Sequence, residues 1–296
     1  MRNNKYAWYL IGMRIKKIAV IGAGIMGNGI AHVSALSGFD TILMDIKDEF
    51  VGIGLDTIRT NLERQVKKEK ISQSEMDDTL NRIRTTTANT DLFDCDLVVE
   101  AAIEDQDTKL NIFKELDQSC KEEAILASNT SSISITKIAL ATYRQNKVIG
   151  MHFMNPVPVM KLVEVVRGKE TDDNTVAKIK ELSEKMGKIP VECNDSPGFI
   201  SNRILAPMIN EAVFCLQEGV GTPEAIDTIM RLGMSHPMGP LTLADLIGLD
   251  ICLDIINVLH NDFDDEKYRP CPLLEKMVAE GNLGRKSGKG FYNYSS

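Results

Sequence analysis

Short apolar runs alternate with longer amphipathic segments over the first two thirds of the chain. The apolar runs, such as KIAVIG and DLVVEAA, are hydrophobic on both faces, which is typical of strands in a parallel sheet covered by helices. The predicted strands are 15–21, 41–45, 96–101, 124–127, 147–152, 162–167 and 189–192. The amphipathic segments predict helices at 25–37, 48–68, 75–84, 106–120 and 175–186. Strands that alternate with helices indicate an α/β domain with a mostly parallel sheet.

The pattern changes after Asp195, where SPGF opens a long helical segment. Pro197 fits the first turn of this helix, because the N–H that proline lacks would have no partner there. The helical segments predicted from this point are 197–218, 223–232, 241–261 and 272–280. We therefore predict an α/β domain over 14–196 and an all-helical domain over 197–296. Residues 1–13 precede the first strand and are interpreted as an N-terminal extension outside the fold.

The composition excludes several classes of function. A net charge of −8 over 296 residues argues against nucleic acid as a partner, because proteins that bind phosphate backbones are generally basic. The six cysteines form no CxxC pair, so neither a metal site nor a disulfide framework is predicted, and free thiols indicate a cytoplasmic protein. No apolar run approaches the length of a membrane span, so no membrane partner is expected.

A glycine motif follows the first predicted strand and opens the first predicted helix. It consists of Gly22, Ala23, Gly24, Ile25, Met26 and Gly27. The first glycine permits a tight turn, the second lets a pyrophosphate approach the backbone, and the third lets helix and strand pack closely. The N-terminus of the helix then offers N–H groups to the phosphates. This context predicts a Rossmann-like dinucleotide site, the alternative being a glycine-rich turn in another kind of α/β protein.

The next predicted strand ends at Asp45, where a carboxylate can accept hydrogen bonds from the ribose hydroxyls and repel a 2′-phosphate. Asp45 therefore favours NAD. Lys47 weakens the repulsion of a 2′-phosphate, so NADP stays a second candidate. The alternative is that Asp45 is only a solvated surface acid. A second glycine-rich segment, GRKSGKG at 284–290, resembles a phosphate loop but has the wrong spacing and precedes no helix, so a nucleotide triphosphatase is not predicted.

The candidate acid/base is His152, which ends a predicted parallel strand. Ligands of open α/β sheets bind outside the carboxyl ends of the strands, and an imidazole titrates near neutral pH. Glu164 lies in the apolar run KLVEVV and either pairs with His152 and orients the ring or is an exposed residue of an edge strand. Ser131 follows the strand at 124–127 and either donates to a carbonyl oxygen or caps a turn.

From about Arg14 onward, the chain resembles the 3-hydroxyacyl-CoA dehydrogenase family, and in particular its bacterial members that act on 3-hydroxybutyryl-CoA. The resemblance rests on the glycine motif together with DLVVEAAIED, ASNTSS, GMHFMNPVPVMKLVEVV, SPGFISNRI, HPMGPL and GRKSGKGFY, in this order. It implies an NAD-dependent interconversion of (S)-3-hydroxybutyryl-CoA and acetoacetyl-CoA. It also implies a homodimer whose helical domain serves substrate binding and dimerisation.

The resemblance also implies residue roles. His152 corresponds to the catalytic base, Glu164 to its partner, and Ser131 and Asn202 to residues that hold the acyl group. The residues that correspond to the nicotinamide half of the cofactor site are Glu104, Lys109, Ser131 and Asn155, with Lys286 reaching back to the cofactor. Lys68 corresponds to a lysine near the CoA phosphates, and Asn61 beside it stands where some relatives carry serine.

Two other classes of function are compatible with the residues alone. One is a different two-domain NAD-dependent dehydrogenase that acts on a hydroxy acid or sugar acid without CoA. The other is a non-catalytic structural or binding protein on the same scaffold, which would have no need of an acid/base pair.

Overall fold

A computed structural model describes residues 15–294, and every strand in them belongs to one sheet. The strands are β1 Lys17–Ile21, β2 Asp40–Met44, β3 Ile83–Thr86, β4 Leu97–Glu100, β5 Ile125–Ser128, β6 Val148–Phe153, β7 Leu162–Arg167 and β8 Ile189–Asn194. Their order is β3-β2-β1-β4-β5-β6-β7-β8. The β6–β7 pair is antiparallel and every other pair is parallel. The prediction of a mostly parallel sheet is confirmed; the N-terminal extension predicted over 1–13 lies outside the described residues.

Helices cover the sheet and account for its apolar strands. They are α1 Ile25–Leu36, α2 Asp48–Lys67, α3 Gln73–Asn81, α4 Gln106–Ser119, α5 Ile135–Ala139 and α6 Asp173–Lys185. All four residues of β4 and of β5 are buried, as are all six of β6. Such strands bury both of their faces, which is why their sequences read as continuous apolar runs.

Two elements of this unit differ from the prediction. The helix predicted over 75–84 ends at Asn81, and β3 begins two residues later. Because β3 has only four residues and lies at the edge of the sheet, its sequence IRTT carries little apolar signal. Helix α5 was not predicted, since its five residues are too few to show a helical period.

The described residues divide into two compact units between Asp195 and Ser196. The helices of the second unit are α7 Ser201–Gln217, α8 Pro223–Gly233, α9 Pro240–Ile247, α10 Leu249–Phe263 and α11 Pro272–Ala279. They pack around their own core, which includes Ile209, Val213, Leu241, Leu259 and Leu274. No strand occurs among the described residues of this unit, as expected for an all-helical segment.

Backbone geometry corrects two predicted helix boundaries in the second unit. The helix expected from Pro197 begins at Ser201, because Gly198 and Phe199 have φ values of 71° and 49° that no right-handed helix can adopt. The single helix predicted over 241–261 is two helices, α9 and α10, because Gly248 has a φ of 109°.

The second glycine-rich segment, 284–290, leads into a turn around a buried carboxylate. Asp245 is 1% exposed and accepts hydrogen bonds from the N–H groups of Phe291 and Tyr292 and from the hydroxyl of Tyr294, each at 3.0 Å. The segment therefore has a structural role in closing the end of the helical unit. Within residues 15–294, no helix combines the length and the apolar character needed to cross a bilayer.

Candidate active site

The glycine loop leaves the N-terminus of α1 open. Gly24 is the N-cap of this helix, and no side chain caps the N–H groups that follow it. A Cβ placed on Gly24 would meet no atom within 4 Å, whereas one on Gly27 would lie 1.6 Å from the carbonyl oxygen of Gly22. The loop is therefore tightly packed on its inner side and open above Gly24. Uncapped N–H groups facing an open surface fit the pyrophosphate of a dinucleotide.

Asp45 is half-buried and holds the glycine loop. Its Oδ2 accepts a hydrogen bond from the N–H of Ala23 at 2.7 Å, and its Oδ1 accepts one from the N–H of Ile46 at 2.7 Å. Remaining lone pairs of the carboxylate can accept from ribose hydroxyls. Beside it, Ile46 is 77% exposed, which offers the apolar surface that ligand pockets commonly use. Ile46 was missed in the sequence, where its only signal is an apolar residue directly after the acidic one.

The register of β6 and β7 brings His152 and Glu164 side by side. The two residues are direct partners in the antiparallel pair, and Nδ1 of His152 lies 2.7 Å from Oε2 of Glu164. Both are buried, with 8% and 3% of their surfaces exposed. The alternative of an exposed edge strand for Glu164 is wrong, since β8 covers the outer side of β7.

This pair fixes which nitrogen of the ring is basic. A carboxylate only accepts hydrogen bonds, so Nδ1 donates and the basic lone pair of His152 is on Nε2. The neighbouring Cys193 does not compete as a base, because burial, and secondly the charge of Glu164, raises the pKa of its thiol to about 12.

Ser131 lies in a turn that is organised by Glu104. One oxygen of that carboxylate, Oε1, accepts from the hydroxyl of Thr130 at 2.6 Å and from the N–H groups of Ser131 and Ser132 at 2.8 and 3.1 Å. The hydroxyls of Ser132 and Ser131 donate to it at 2.9 and 3.1 Å. Although burial acts in the opposite direction, Lys109 and these hydrogen bonds lower the pKa of Glu104. An ionised carboxylate therefore holds the whole turn.

Lys109 is buried beneath this turn, with 1% of its surface exposed. Its Nζ lies 2.6 Å from Oε1 of Glu100 and 3.4 Å from Oε2 of Glu104. The positive charge of Lys109 thus lies beside Glu104 on the buried side of the turn. Glu100, the last residue of β4, was not identified in the sequence, where it appears as an ordinary acid within an apolar run.

Asn129 joins the carboxyl ends of two strands. Its Oδ1 accepts a hydrogen bond from the N–H of Phe153 at 2.9 Å, which ties the segment after β5 to the residue after His152. Sequence reasoning missed this residue, although the motif ASNTSS contains it. The link holds the Ser131 turn and the end of β6 together.

The remaining candidate residues lie in other parts of the chain. Asn155 is exposed directly after β6, where a cis peptide bond joins it to Pro156. Lys68 is the exposed C-cap of α2. Asn61 lies about two turns earlier on the same helix and accepts a hydrogen bond from Arg64 at 3.4 Å. In the helical unit, Asn202 lies in the first turn of α7. Lys286 forms an ion pair with Asp250 at 2.6 Å.

An open helix N-terminus after β1 and a buried histidine–carboxylate pair at the end of β6 fit a dinucleotide-dependent oxidoreductase that acts on CH–OH groups. Two family models match the chain. The NAD binding domain of 3-hydroxyacyl-CoA dehydrogenase matches residues 17–196, and the C-terminal domain of the same enzyme matches residues 198–294. The chain belongs to the 3-hydroxyacyl-CoA dehydrogenase family.

Individual relatives agree with this assignment. A probable 3-hydroxybutyryl-CoA dehydrogenase of Deinococcus radiodurans is 58% identical over 278 residues, which cover 94% of this chain and 100% of the relative. A 3-hydroxybutyryl-CoA dehydrogenase of Bradyrhizobium diazoefficiens is 56% identical over 95% of this chain and 96% of its own length. The crystal structure of (S)-3-hydroxybutyryl-CoA dehydrogenase from Ralstonia eutropha matches with a TM-score of 0.93 at 50% identity, covering 95% of this chain and 100% of that one.

Proposed function

We propose that this protein interconverts (S)-3-hydroxybutyryl-CoA and acetoacetyl-CoA with NAD, and that His152 is the acid/base. The observation that carries the proposal is the buried pair of His152 and Glu164, in the same sheet as the glycine loop. Gly22, Gly24 and Asp45 would hold the dinucleotide, which, when bound, supplies the hydride acceptor for oxidation or the hydride donor for reduction.

His152 moves the proton. In oxidation, Nε2 takes the proton of the 3-hydroxyl while the C3–H bond breaks and its electron pair leaves with the hydride. In reduction, the protonated ring returns this proton to the oxygen. The carboxylate of Glu164 stabilises the imidazolium and prevents the ring from rotating.

Ser131 and Asn202 hold the reacting oxygen and the acyl group in this proposal. The turn that carries Ser131 is fixed by Glu104 and by Asn129, and the hydroxyl, which donates to Glu104 at 3.1 Å, would reorient to donate to the reacting oxygen when the substrate binds. Positioning of this kind supplies much of the rate in hydride transfer, because the reacting atoms must be close and aligned.

The CoA portion would bind at the C-terminal end of α2. Lys67, Lys68 and Lys70 are all exposed there, in a protein whose net charge is −8. Local positive charge attracts phosphate groups even when the whole protein is acidic. Asn61, on the same helix, provides an amide beside this cluster.

A second copy of the chain is the proposed partner of the helical unit. Helix α8 leaves apolar residues on its surface: Ile229 is 62% exposed and Leu232 is 73% exposed, and Met234 after the helix is 60% exposed. Contiguous apolar surface is characteristic of protein interfaces. Ile229→Asp should therefore halve the mass measured by sedimentation, and a parent protein that is already monomeric would contradict the proposal.

The catalytic assignment is tested with His152→Gln. We expect the rate of NADH oxidation by acetoacetyl-CoA to fall at least about a hundredfold, since general acid/base catalysis contributes about 10²–10⁴-fold, while NADH still binds. His260→Gln is the matched control, because that histidine is on α10 and its one ion pair within residues 15–294 is with Glu266, at 3.6 Å. Unchanged activity of His152→Gln would refute the assignment, and equal activity with free acetoacetate would refute the CoA substrate.

A further inference from the structure

Lys109 lies between two carboxylates, and its single positive charge can neutralise only one of the two negative charges. Its Nζ is 2.6 Å from Glu100 and 3.4 Å from Glu104, so the buried acid holds it more closely than the partly exposed one. Two carboxylates and one ammonium leave one net negative charge. The side chain of Glu104, at the outer end of this triad, is 38% exposed.

Glu100 is costly to bury, and its contacts show how it is fixed. It is fully buried, and it accepts hydrogen bonds from Lys109 at 2.6 Å, from the N–H of Ala102 at 2.7 Å and from the hydroxyl of Ser128 at 2.6 Å. A buried ion pair is weak support for stability, since apolar residues of similar volume often serve as well or better. The position of Glu100 therefore calls for a functional explanation.

We propose that Glu100 is a positioning residue that keeps Lys109 closer to itself than to Glu104, and that the resulting net negative charge raises the affinity of the site for NAD⁺ relative to NADH. The inference rests on the proposed function and on the role that the family resemblance implies for Glu104, which is to line the nicotinamide half of the cofactor site. The oxidised nicotinamide ring carries a positive charge and the reduced ring carries none. A fixed negative charge nearby therefore stabilises the oxidised form selectively. Without Glu100, Lys109 pairs with Glu104 alone and the selectivity is lost.

The test compares the binding of NAD⁺ and of NADH to each variant by calorimetric titration in the absence of substrate. Glu100→Gln and Glu104→Gln each remove one negative charge from the triad. Both should lower the ratio of the NADH dissociation constant to the NAD⁺ dissociation constant about fivefold, which corresponds to about 1 kcal/mol. The double variant Glu100→Gln/Lys109→Gln removes one charge of each sign, so its ratio should return to within about twofold of the parent ratio.

The double variant separates charge from mere structural support. If Glu100 only stabilised the fold, removing its partner as well would not restore the ratio. The double variant also leaves no fully buried charge without a partner. If Glu100→Gln does not fold, the ratios of the double variant and of Glu104→Gln still decide the test. Asp107→Asn is the matched control, because it removes an exposed carboxylate from the first turn of α4, two residues before Lys109, and should leave the ratio unchanged.

The outcomes distinguish this inference from the proposed function. If the parent protein binds neither NAD⁺ nor NADH, the proposed function itself fails. If the parent binds both, but Glu104→Gln leaves the ratio unchanged or the double variant shifts it as far as Glu100→Gln does, only the role of the triad is refuted.

Discussion

Replacing Glu164 by Gln removes one charge from the proposed proton-transfer pair while retaining its shape. The amide oxygen of Gln can still accept from Nδ1 of His152, which is now 2.7 Å from the carboxylate. A hydrogen bond to a charged group contributes about 1.5–3 kcal/mol and one between neutral groups about 0.5–1.5 kcal/mol. The imidazolium that forms during oxidation should therefore lose about 1–2 kcal/mol of stabilisation, which is a factor of about 5–30.

This loss should appear in kcat and much less in KM. The carboxylate is 3% exposed and stabilises a charge that forms only during the reaction, so binding of NAD or of the acyl-CoA should change little. The assay is steady-state oxidation of 3-hydroxybutyryl-CoA, followed by the absorbance of NADH. Glu192→Gln, on the adjacent strand β8, is the control, because that carboxylate points to an exposed ion pair with Arg167. A kcat for Glu164→Gln within about twofold of the parent value, or an equal fall in the control, would refute the reasoning.

Three other ionisable positions of the first unit give measurable predictions. Asp45→Asn should lower the preference for NADH over NADPH about tenfold in kcat/KM, since the charge that repels a 2′-phosphate is lost; an unchanged ratio would contradict this. Lys68→Glu should raise the KM for acetoacetyl-CoA about tenfold at low salt and less at high salt, and equal effects at both would exclude a phosphate contact. Burial, and secondly Lys188, lowers the pKa of His32 from 6.5 to about 4. Between pH 6.5 and about pH 4, the unfolded chain therefore binds a proton that the folded chain does not bind. As the pH falls through this range, the free energy of unfolding should decrease by about 3 kcal/mol. His32→Gln, which keeps a polar group beside Gln65, should show a smaller fall of the urea midpoint between these pH values, and a fall parallel to that of the parent would count against the buried neutral imidazole.

The periodicity of the sequence predicted most of the fold because buried parallel strands and amphipathic helices have strong patterns. Strand β7 matches its predicted range, 162–167, at both ends. The failures have local causes. Strand β3 is short and partly exposed, α5 has five residues, and the break between α9 and α10 depends on the left-handed backbone of Gly248, which the pattern of apolar residues does not reveal.

The parts of the candidate site that lie in a sequence motif could be predicted, whereas the parts that depend on pairing between distant residues could not be settled from the sequence. The glycine loop and His152 could be found from their place after strands. The pairing of Glu164 with His152 was one of two alternatives that the sequence left open, because it depends on the antiparallel direction of β7, for which the sequence has no signal. Glu100 was hidden for a related reason: its pairing with Lys109 joins a strand to the following helix, and only the packing of the two elements shows it.

Two strands that follow one another along the chain create the pair of His152 and Glu164, and both precede Asp195. The proposed proton-transfer pair is thus encoded in a short, continuous stretch of the polypeptide. A recombination event that exchanged everything after Asp195 would inherit this stretch intact and alter only what the second unit recognises. Such a gene can acquire new substrates without having to evolve the proposed acid/base pair again.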